Sequence, residues 1–566
     1  MAEIPKTHDF GIKRAIWSIQ TIWAIAPLPL SLLVCKLSWA GSIYIGLITL
    51  SCLSALLLLA TIRALPLINC LLYPLAAFWL VFLFLFGCAP NLGVVLNLGK
   101  TSLPEALAWM RHHPGVFVFC IGWWTVLIRS ALAAGRPVWP TSGLRLYILT
   151  GLFLLGATGS VYINDLSSLH RQDGNASLFE TSRLTELAMI NDTVWPIGPA
   201  RLVLQAGNTA SWGKSRDPAL IPERPVQNPL ILDQSSQGIT SVLVIGESQR
   251  ADWLNPEKHP ELLPELFTRM QNRQLLILPD VWSSSNLTMY AVPALMTGTA
   301  PGQMMESVRG KPSGLGYLKQ AGFFTAFVSN HTNLLFAENG WDYYKRPDSA
   351  EWYDQYLATE MQRLLINPNP KRAMVLQMMG SHFHYPDRVP AAFAESKNMI
   401  VQHAMPFVPG LKRHEQQAIE DYVSSIAYGG YVLNQILLQL DQLPEPAILI
   451  FCSDHGENLY DDERHYYWHG GYALPALAEF KPAAFVAWNK VYAQQYRSQL
   501  QQLRQIAIHP LQQYNILPMW LRLSGFHLPG ATDNDPFADG WKPSSESTRQ
   551  VFVNGRVLNL SQLAHK

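Results

Sequence analysis

The chain has 566 residues, of which 49% are hydrophobic and 15% are charged, and its formal net charge is +1. Soluble globular domains carry about 25% charged residues, so the composition argues against a single soluble globule. Nucleic-acid binding normally requires a surplus of basic residues, and the balanced charge excludes that class of partner. The length predicts several domains.

Apolar stretches dominate the first part of the chain. Charged residues are absent from 15–35, 37–62 and 64–99, and a membrane-spanning helix needs about 20 apolar residues. Two further apolar stretches follow. The pattern predicts a transmembrane domain over 1–164 with five spanning helices, at 15–35, 39–62, 65–88, 114–134 and 146–163.

The Lys and Arg residues between these helices predict the orientation of the bundle, because cytoplasmic loops carry the excess of basic residues. One side would carry Lys36, Lys100 and Arg111. The other side would carry seven basic residues: Lys6, Lys13, Arg14, Arg63, Arg129, Arg136 and Arg145. The asymmetry places the N-terminus in the cytoplasm and everything after Asp165 on the outer side.

Composition changes twice after the predicted bundle. Residues 165–235 are rich in Asp, Ser, Asn, Gly and Pro, with short amphipathic patches, which predicts a linker along the membrane face. From 236 to 566, short β-branched runs alternate with helical patterns, the longest at Glu415–Leu440. This alternation predicts a largely parallel sheet with helices on both faces, an α/β/α sandwich. The predicted strands are 239–245, 275–278, 323–328, 374–378, 447–451 and 484–486.

Two local features refine the prediction for the outer domain. The run from Gln550 to Leu560 contains Asn554-Gly555 between two short strand patterns, which predicts a hairpin with a type I′ turn. Five of the six cysteines lie in the predicted membrane domain, so Cys452 has no partner for a disulfide within the outer domain.

Polar side chains follow two of the predicted strands. Glu247 comes after the first strand, and Asp454 and His455 come after the strand at 447–451. Because ligands gather at the carboxyl ends of strands in open α/β sheets, we expect these side chains to meet. Carboxylate oxygen and imidazole nitrogen suit zinc. Three such ligands leave one tetrahedral position open for a hydroxyl or a substrate oxygen.

A hydroxyl-rich segment, 283–288, offers candidates for a nucleophile, which a metal would activate. A helix that starts near Thr288 would present free N–H groups to a covalent phosphate. The commoner role of such residues is to cap a helix. For His384 and His465, simple exposure to solvent is favoured over a role in the site.

Four motifs together resemble the phosphoethanolamine transferases, which are membrane members of the sulfatase and alkaline phosphatase superfamily. They are Gly-Glu-Ser-x-Arg-x-Asp at 246–252, the hydroxyl segment at 283–297, Met-Gly-Ser-His at 379–382, and Ser-Asp-His-Gly-Glu with a trailing His-Gly at 453–470. The resemblance implies an alkaline phosphatase-like fold for the outer domain. The five-helix front with an outward C-terminal domain agrees with it.

The resemblance also implies roles for individual residues. Glu247, Asp454 and His455 occupy the positions of zinc ligands, and a nucleophilic threonine completes the ligand shell. His382 and His469 match histidines that contact the transferred phosphate or a second zinc, and they can serve as general acid or base. Arg250 and Asp252 match the motif without an assigned role.

The nucleophile implied by the resemblance is Thr288, which stands five residues before Pro293, as in part of the family. In the lipid A-modifying members the threonine stands seven residues before the proline, where this chain has Asn286. Asparagine cannot form a phospho-enzyme. Ser285 is the alternative nucleophile.

The expected activity is a ping-pong transfer at the outer face of a bacterial inner membrane, with the catalytic domain in the periplasm. Thr288 takes phosphoethanolamine from phosphatidylethanolamine and passes it to a lipopolysaccharide or a periplasmic glycan, and the protein is expected to be a monomer. The alternatives are a phosphoglycerol transferase, a membrane-tethered sulfatase or phosphodiesterase, and a non-enzymatic lipid-binding regulator.

Overall fold

The computed structural model describes 229–233, 238–304, 311–331, 340–347, 353–405, 410–462, 467–470, 475–530, 533–553 and 556–563, with six isolated positions between 79 and 125. Apart from those six positions, the five predicted membrane helices lie outside the described residues, as do most of the predicted linker and His465. Among the residues that are described, no helix combines the length and the apolar character needed to cross a bilayer. All elements below belong to one compact unit of the chain.

The strands and helices are numbered in chain order. The strands are β1 Ile231–Leu232, β2 Ile239–Gly246, β3 Leu275–Ile277, β4 Val281–Trp282, β5 Phe324–Ser329, β6 Tyr343–Lys345, β7 Lys371–Gln377, β8 Ala447–Ser453, β9 Ala484–Trp488, β10 Leu511–Gln512, β11 Phe526–His527, β12 Gln550–Val553 and β13 Arg556–Asn559. The helices are α1 Pro264–Gln271, α2 Thr288–Thr297, α3 Gly314–Gln320, α4 Gln355–Leu364, α5 Ala391–Ala404, α6 Arg413–Asp441, α7 Lys490–Gln495, α8 Arg497–Ile506 and α9 Ile516–Leu523.

Seven strands form the central sheet, in the order β3-β9-β8-β2-β7-β5-β6. The strands from β8 to β6 are parallel to one another. Strand β9 runs antiparallel to both of its neighbours. The largely parallel sheet predicted from the alternation of strands and helices is therefore confirmed, with one antiparallel strand near its edge.

Strand β2 lies in the middle of the sheet and is buried along its whole length. Its alternating side chains enter two separate cores: Val242 and Val244 pack on one face, and Leu243 and Ile245 on the other. A strand that is covered on both faces needs apolar residues at every position, because successive side chains point to opposite faces. The sequence Val-Leu-Val-Ile satisfies this requirement.

Helices cover both faces, as the pattern predicts. On the first face α6 packs against α1, α4 and α5, and it is the long helix predicted at Glu415–Leu440. On the second face α9 contacts α2 and α3.

The six predicted strands all coincide with strands of the central sheet. Strands β12 and β13 pair antiparallel with Val553 opposite Arg556, as the predicted hairpin requires.

Candidate active site and metal centre

The ends of β2 and β8 bring three of the predicted ligands together. The two strands pair in parallel with Gly246 opposite Ser453, so Glu247 and Asp454 emerge side by side. His455 Nε2 lies 3.5 Å from Glu247 Oε1 and 3.3 Å from Asp454 Oδ2. All three side chains are buried. The parallel register therefore forms the cluster that the strand ends predict.

Thr288 joins this cluster from the other side. It is the first residue of α2, as predicted, and its Oγ1 lies 3.1 and 3.2 Å from the two carboxylate oxygens of Glu247. His455 Nε2 is 3.2 Å from the same hydroxyl oxygen. The hydroxyl proton therefore has a carboxylate and an imidazole nitrogen as acceptors. Leu287, at the N-cap, provides no side-chain hydrogen bond to α2, so the helix keeps N–H groups for an anionic ligand.

The donor set fits a divalent cation. Burial raises the pKa of Glu247 well above its ordinary value, and the charge of neighbouring Asp454 adds to the rise. Asp454 Oδ2 is buried and has no hydrogen-bond partner, an arrangement that is costly unless a cation or a proton satisfies it. One ligand atom from each of Glu247, His455 and His469 lies within 4.8 Å of the others. Buried carboxylates and imidazoles at these separations are typical of a zinc site.

A main-chain carbonyl oxygen sets the tautomer of His455. His455 Nδ1 donates to the Gly456 carbonyl at 2.8 Å. This leaves the lone pair of His455 Nε2 facing Glu247, Asp454 and Thr288. Burial also lowers the pKa of His455, favouring the neutral ring. A neutral imidazole held by a hydrogen bond from its other nitrogen is the usual form of a metal-ligating histidine.

His469 lies beside His455, with ring centroids 4.1 Å apart, and is paired with a carboxylate. Its Nδ1 is 3.1 and 3.2 Å from the two oxygens of Glu457. Burial lowers the pKa of His469 to about 4 and raises the pKa of Glu457 to about 8. Tyr385 donates its hydroxyl to Glu457 at 3.0 Å, so this carboxyl group orients two side chains at once.

The loop after β7 is held against Glu247. Ser381 donates its N–H to the Glu247 carbonyl at 2.9 Å, and Gly380 adopts φ +49° where a Cβ would lie 2.7 Å from that same oxygen. Buried Asp354 accepts the N–H groups of Met379 and Gly380 at 2.7 and 2.8 Å. The loop therefore needs glycine at 380.

His382 ends this loop at the rim of the site. Its Nδ1 donates to the Phe383 carbonyl at 2.7 Å, and burial, with the charge of Arg388, lowers its pKa well below the ordinary value. The ring is 6.2 Å from that of His331. His331 Nε2 lies 3.7 Å from Glu247 Oε2, so a further histidine approaches the same carboxylate.

Arg250 and Asp252 connect two loops of the site. The guanidinium of Arg250 makes two hydrogen bonds to Asp252, at 2.9 and 2.6 Å, and one to Asp461 at 2.6 Å. It also donates to the Glu457 carbonyl at 3.2 Å. The motif residues without an assigned role therefore attach the loop that carries Glu247 to the loop that carries His455 and Glu457.

Asn286 is held in place by a buried carboxyl group rather than directed at the metal ligands. The amide of Asn286 donates to buried Glu479 at 2.8 Å, and Glu479 also accepts the Gly470 N–H at 3.1 Å. This links the segment before Thr288 to the residue after His469.

Ser285 is buried, and its backbone bridges to Phe552. Of the two candidate nucleophiles, Thr288 contacts Glu247 and His455.

The structure thus groups Glu247, Thr288, Asp454, His455 and His469, and it places His382 at the rim. The sequence interpretation missed three further residues around the site, His331, Asp354 and Glu479, and it included Glu457 in a motif without a role. A signal for His331 was available, because it follows β5 as directly as His455 follows β8.

A comparison with protein families matches residues 240–526 to the sulfatase family. This match covers more than half of the chain, and the chain belongs to the sulfatase family. The resemblance to the phosphoethanolamine transferases is also confirmed, because the curated relatives that match carry that name.

Two relatives illustrate the extent of the match. Phosphoethanolamine transferase EptC of Escherichia coli K12 is 26% identical over 240 residues, which are 40% of this chain and 41% of EptC. The Kdo(2)-lipid A phosphoethanolamine 7''-transferase of the same strain is 31% identical over 113 residues, 19% of this chain and 18% of that protein. The matched region therefore spans less than half of the length of either relative.

Solved structures support the fold. The integral membrane protein lipooligosaccharide phosphoethanolamine transferase A of Neisseria meningitidis superimposes with a TM-score of 0.66 at 16% identity, covering 93% of this chain and 97% of that one. The C-terminal periplasmic domain of Escherichia coli EptC, in complex with zinc, gives 0.53 at 20% identity, covering 60% of this chain and 98% of that domain. At these identities the likeness establishes the fold.

Proposed function

We propose that this protein transfers phosphoethanolamine from phosphatidylethanolamine to a hydroxyl or phosphate group of a lipopolysaccharide or periplasmic glycan. The observation that carries the proposal is the position of Thr288 Oγ1, within 3.2 Å of both Glu247 and His455 at the first turn of a helix. The names of the curated relatives supply the transferred group.

In the first half-reaction, the Thr288 oxygen forms a bond to phosphorus while the bond from phosphorus to the diacylglycerol oxygen breaks. The hydroxyl proton passes to a carboxylate oxygen of Glu247, which is already within hydrogen-bond distance of Thr288 Oγ1. The free N–H groups at the start of α2 stabilise the phosphate charge. His382 or His469 relays a proton to the leaving alkoxide, so that the proton lost by Thr288 balances the one that diacylglycerol gains.

The second half-reaction reverses these roles. An acceptor oxygen forms a bond to phosphorus, the Thr288 oxygen leaves, and the proton returns to it. A neutral histidine can remove the proton of the acceptor hydroxyl, and burial keeps His469 neutral by lowering its pKa to about 4. Glu457 orients His469 for this task through Nδ1.

Zinc is the metal that we assign to Glu247, Asp454, His455 and Thr288. When bound, it would neutralise the two adjacent carboxylates, lower the pKa of the threonine hydroxyl and offset the charge of the phosphate. The orphaned oxygen of Asp454 supports this assignment. We place the protein in a bacterial inner membrane with this site in the periplasm, because the lipid donor must reach Thr288.

The test is mass spectrometry of envelope lipopolysaccharides and glycans from cells with the wild-type protein, with Thr288→Ala, or without the protein. We expect wild-type cells alone to carry the added mass of phosphoethanolamine. An added phosphoglycerol group would identify the phosphoglycerol transferase instead. Unchanged glycolipids and glycans, with the wild-type protein present in the membrane, would contradict transfer.

A further inference from the structure

Two partly exposed aromatic rings lie next to the histidines of the candidate site. The ring of Trp468 is 5.8 Å from that of His469, and the ring of Phe383 is 6.2 Å from Trp468, tilted by 45°. Both rings are only partly buried. The two histidines that separate them from Thr288, His469 and His455, are fully buried. The two rings, Trp468 and Phe383, are here called the aromatic pair.

Each ring of the aromatic pair belongs to a segment that already contacts the site. Phe383 follows His382, and its carbonyl accepts the Nδ1 hydrogen of that histidine at 2.7 Å. Trp468 precedes His469, and the backbone N–H of Trp468 donates to the Asn458 carbonyl at 2.9 Å. The pair is therefore attached to both histidines that flank the transferred group in the proposed mechanism.

The backbone of Trp468 is strained. Its φ is +75°, and a bulky side chain is rarely found in this left-handed region. Such strain tends to concentrate at ligand sites, where the surroundings impose the conformation. A large ring at this position has no advantage for the backbone, so its placement requires another explanation.

We propose that the aromatic pair binds the ammonium group of the phosphoethanolamine headgroup. The inference rests on the proposed function and names the residues that select the amine. Cations are attracted to the faces of Trp and Phe rings. In the headgroup, one oxygen and two carbons separate phosphorus from nitrogen, so a phosphate beside His455 and His469 directs the ammonium to adjacent residues.

The test compares two soluble probes of nearly equal shape, O-phosphoethanolamine and propyl phosphate, which differ in the ammonium group. Binding of each to the purified full chain is measured calorimetrically for wild type, Trp468→Leu, Phe383→Leu and Trp468→Phe. We expect wild type to prefer O-phosphoethanolamine by roughly tenfold, as cation–π contacts predict. Each leucine variant should lose most of this ratio, whereas Trp468→Phe, which keeps a ring, should retain much of it.

Trp541→Leu is the matched control. Trp541 is also a partly exposed tryptophan, but it packs against the core on the opposite face of the central sheet from Phe383, and its removal should leave the ratio unchanged. A ratio near one in wild type, or a ratio that survives in both leucine variants, would overturn the inference. If the variants raise the KM of a glycan acceptor while the ratio survives, the rings bind sugar and the inference is wrong. Absence of transfer by wild type, measured separately, would instead overturn the proposed function.

Discussion

Buried carboxyl groups fix the relative positions of the loops around the candidate site. Asp354 accepts N–H groups from the loop after β7, and Glu479 accepts from both Asn286 and Gly470. Glu457 accepts from Tyr385 and His469 in the same way. Since a buried donor that loses its partner costs about 1–3 kcal/mol, each of these acids contributes to the site through the residues that it positions.

Arg250 gives a direct test of this positioning at the scale of one residue. We expect Arg250→Met to destabilise the protein by about 1–3 kcal/mol, because Asp252, Asp461 and the Glu457 carbonyl lose charged hydrogen bonds. Transfer should also fall, because the loop that carries Glu457 loses its attachment. Denaturant unfolding and the transfer assay measure the two effects.

The control for Arg250 is Lys319→Met, which removes an ion pair with Asp342 where both side chains are about one-third exposed. Exposed pairs contribute less than about 1 kcal/mol. Equal destabilisation by the two variants, or full activity in Arg250→Met, would show that Arg250 does not connect the loops.

At the scale of elements, a parallel register determines the site. Strands β2 and β8 end at the same edge of the sheet, so Glu247 and Asp454 emerge side by side. Helix α2 begins at Thr288 and brings its hydroxyl to the same edge. The loop after β7 completes the arrangement only because Gly380 allows close approach to the Glu247 backbone.

Gly380→Ala therefore tests the loop after β7. The new Cβ would meet the Glu247 carbonyl at 2.7 Å at a residue with φ +49°, so the loop must shift. We expect transfer to fall roughly 100-fold, since displacement of about 1 Å near reacting groups has this effect. The transfer assay on purified protein measures the change.

Gly322→Ala separates the two causes, because Gly322 has φ +85° and no neighbouring heavy atom within 4 Å of an added Cβ. It should lose stability through backbone strain alone, about 1–2 kcal/mol, and keep its activity. A similar loss of transfer in both variants would attribute the effect of Gly380→Ala to general destabilisation.

Apart from His331, the residues that the sequence missed lie in loops rather than at strand ends, for a physical reason. Glu247, Asp454 and His455 directly follow apolar strands, so periodicity alone locates them at one edge of the sheet. Asp354 and Glu479 precede or follow no strand of the central sheet directly, and only the tertiary fold brings them to the site. Pairing of carboxyl groups with N–H groups of remote loops leaves no local pattern in the sequence.

At the scale of the whole molecule, a predicted membrane domain precedes a sulfatase-like domain. The apolar stretches within 1–164 predict spanning helices, and the domain from 236 onward contains the candidate site. Fusion of alkaline phosphatase after Asp165 should give an active reporter, because the excess of basic residues on the opposite side predicts that this point lies outside the cytoplasm. Activity only for fusions within 136–145 would mean that the orientation is inverted and that the lipid-facing account fails.

The measurement that tests the central claim most directly is mass analysis of the purified full chain after incubation with phosphatidylethanolamine and no acceptor. We expect a covalent phosphoethanolamine adduct that peptide mapping locates on Thr288, because only water can then complete the second half-reaction. Thr288→Ala should lose the adduct while it still folds, since Thr288 does not cap α2 and the loss of its hydroxyl hydrogen bonds costs about 1–3 kcal/mol. An adduct on Ser285 would identify a different nucleophile, and product formation without an adduct on any residue would contradict the covalent mechanism.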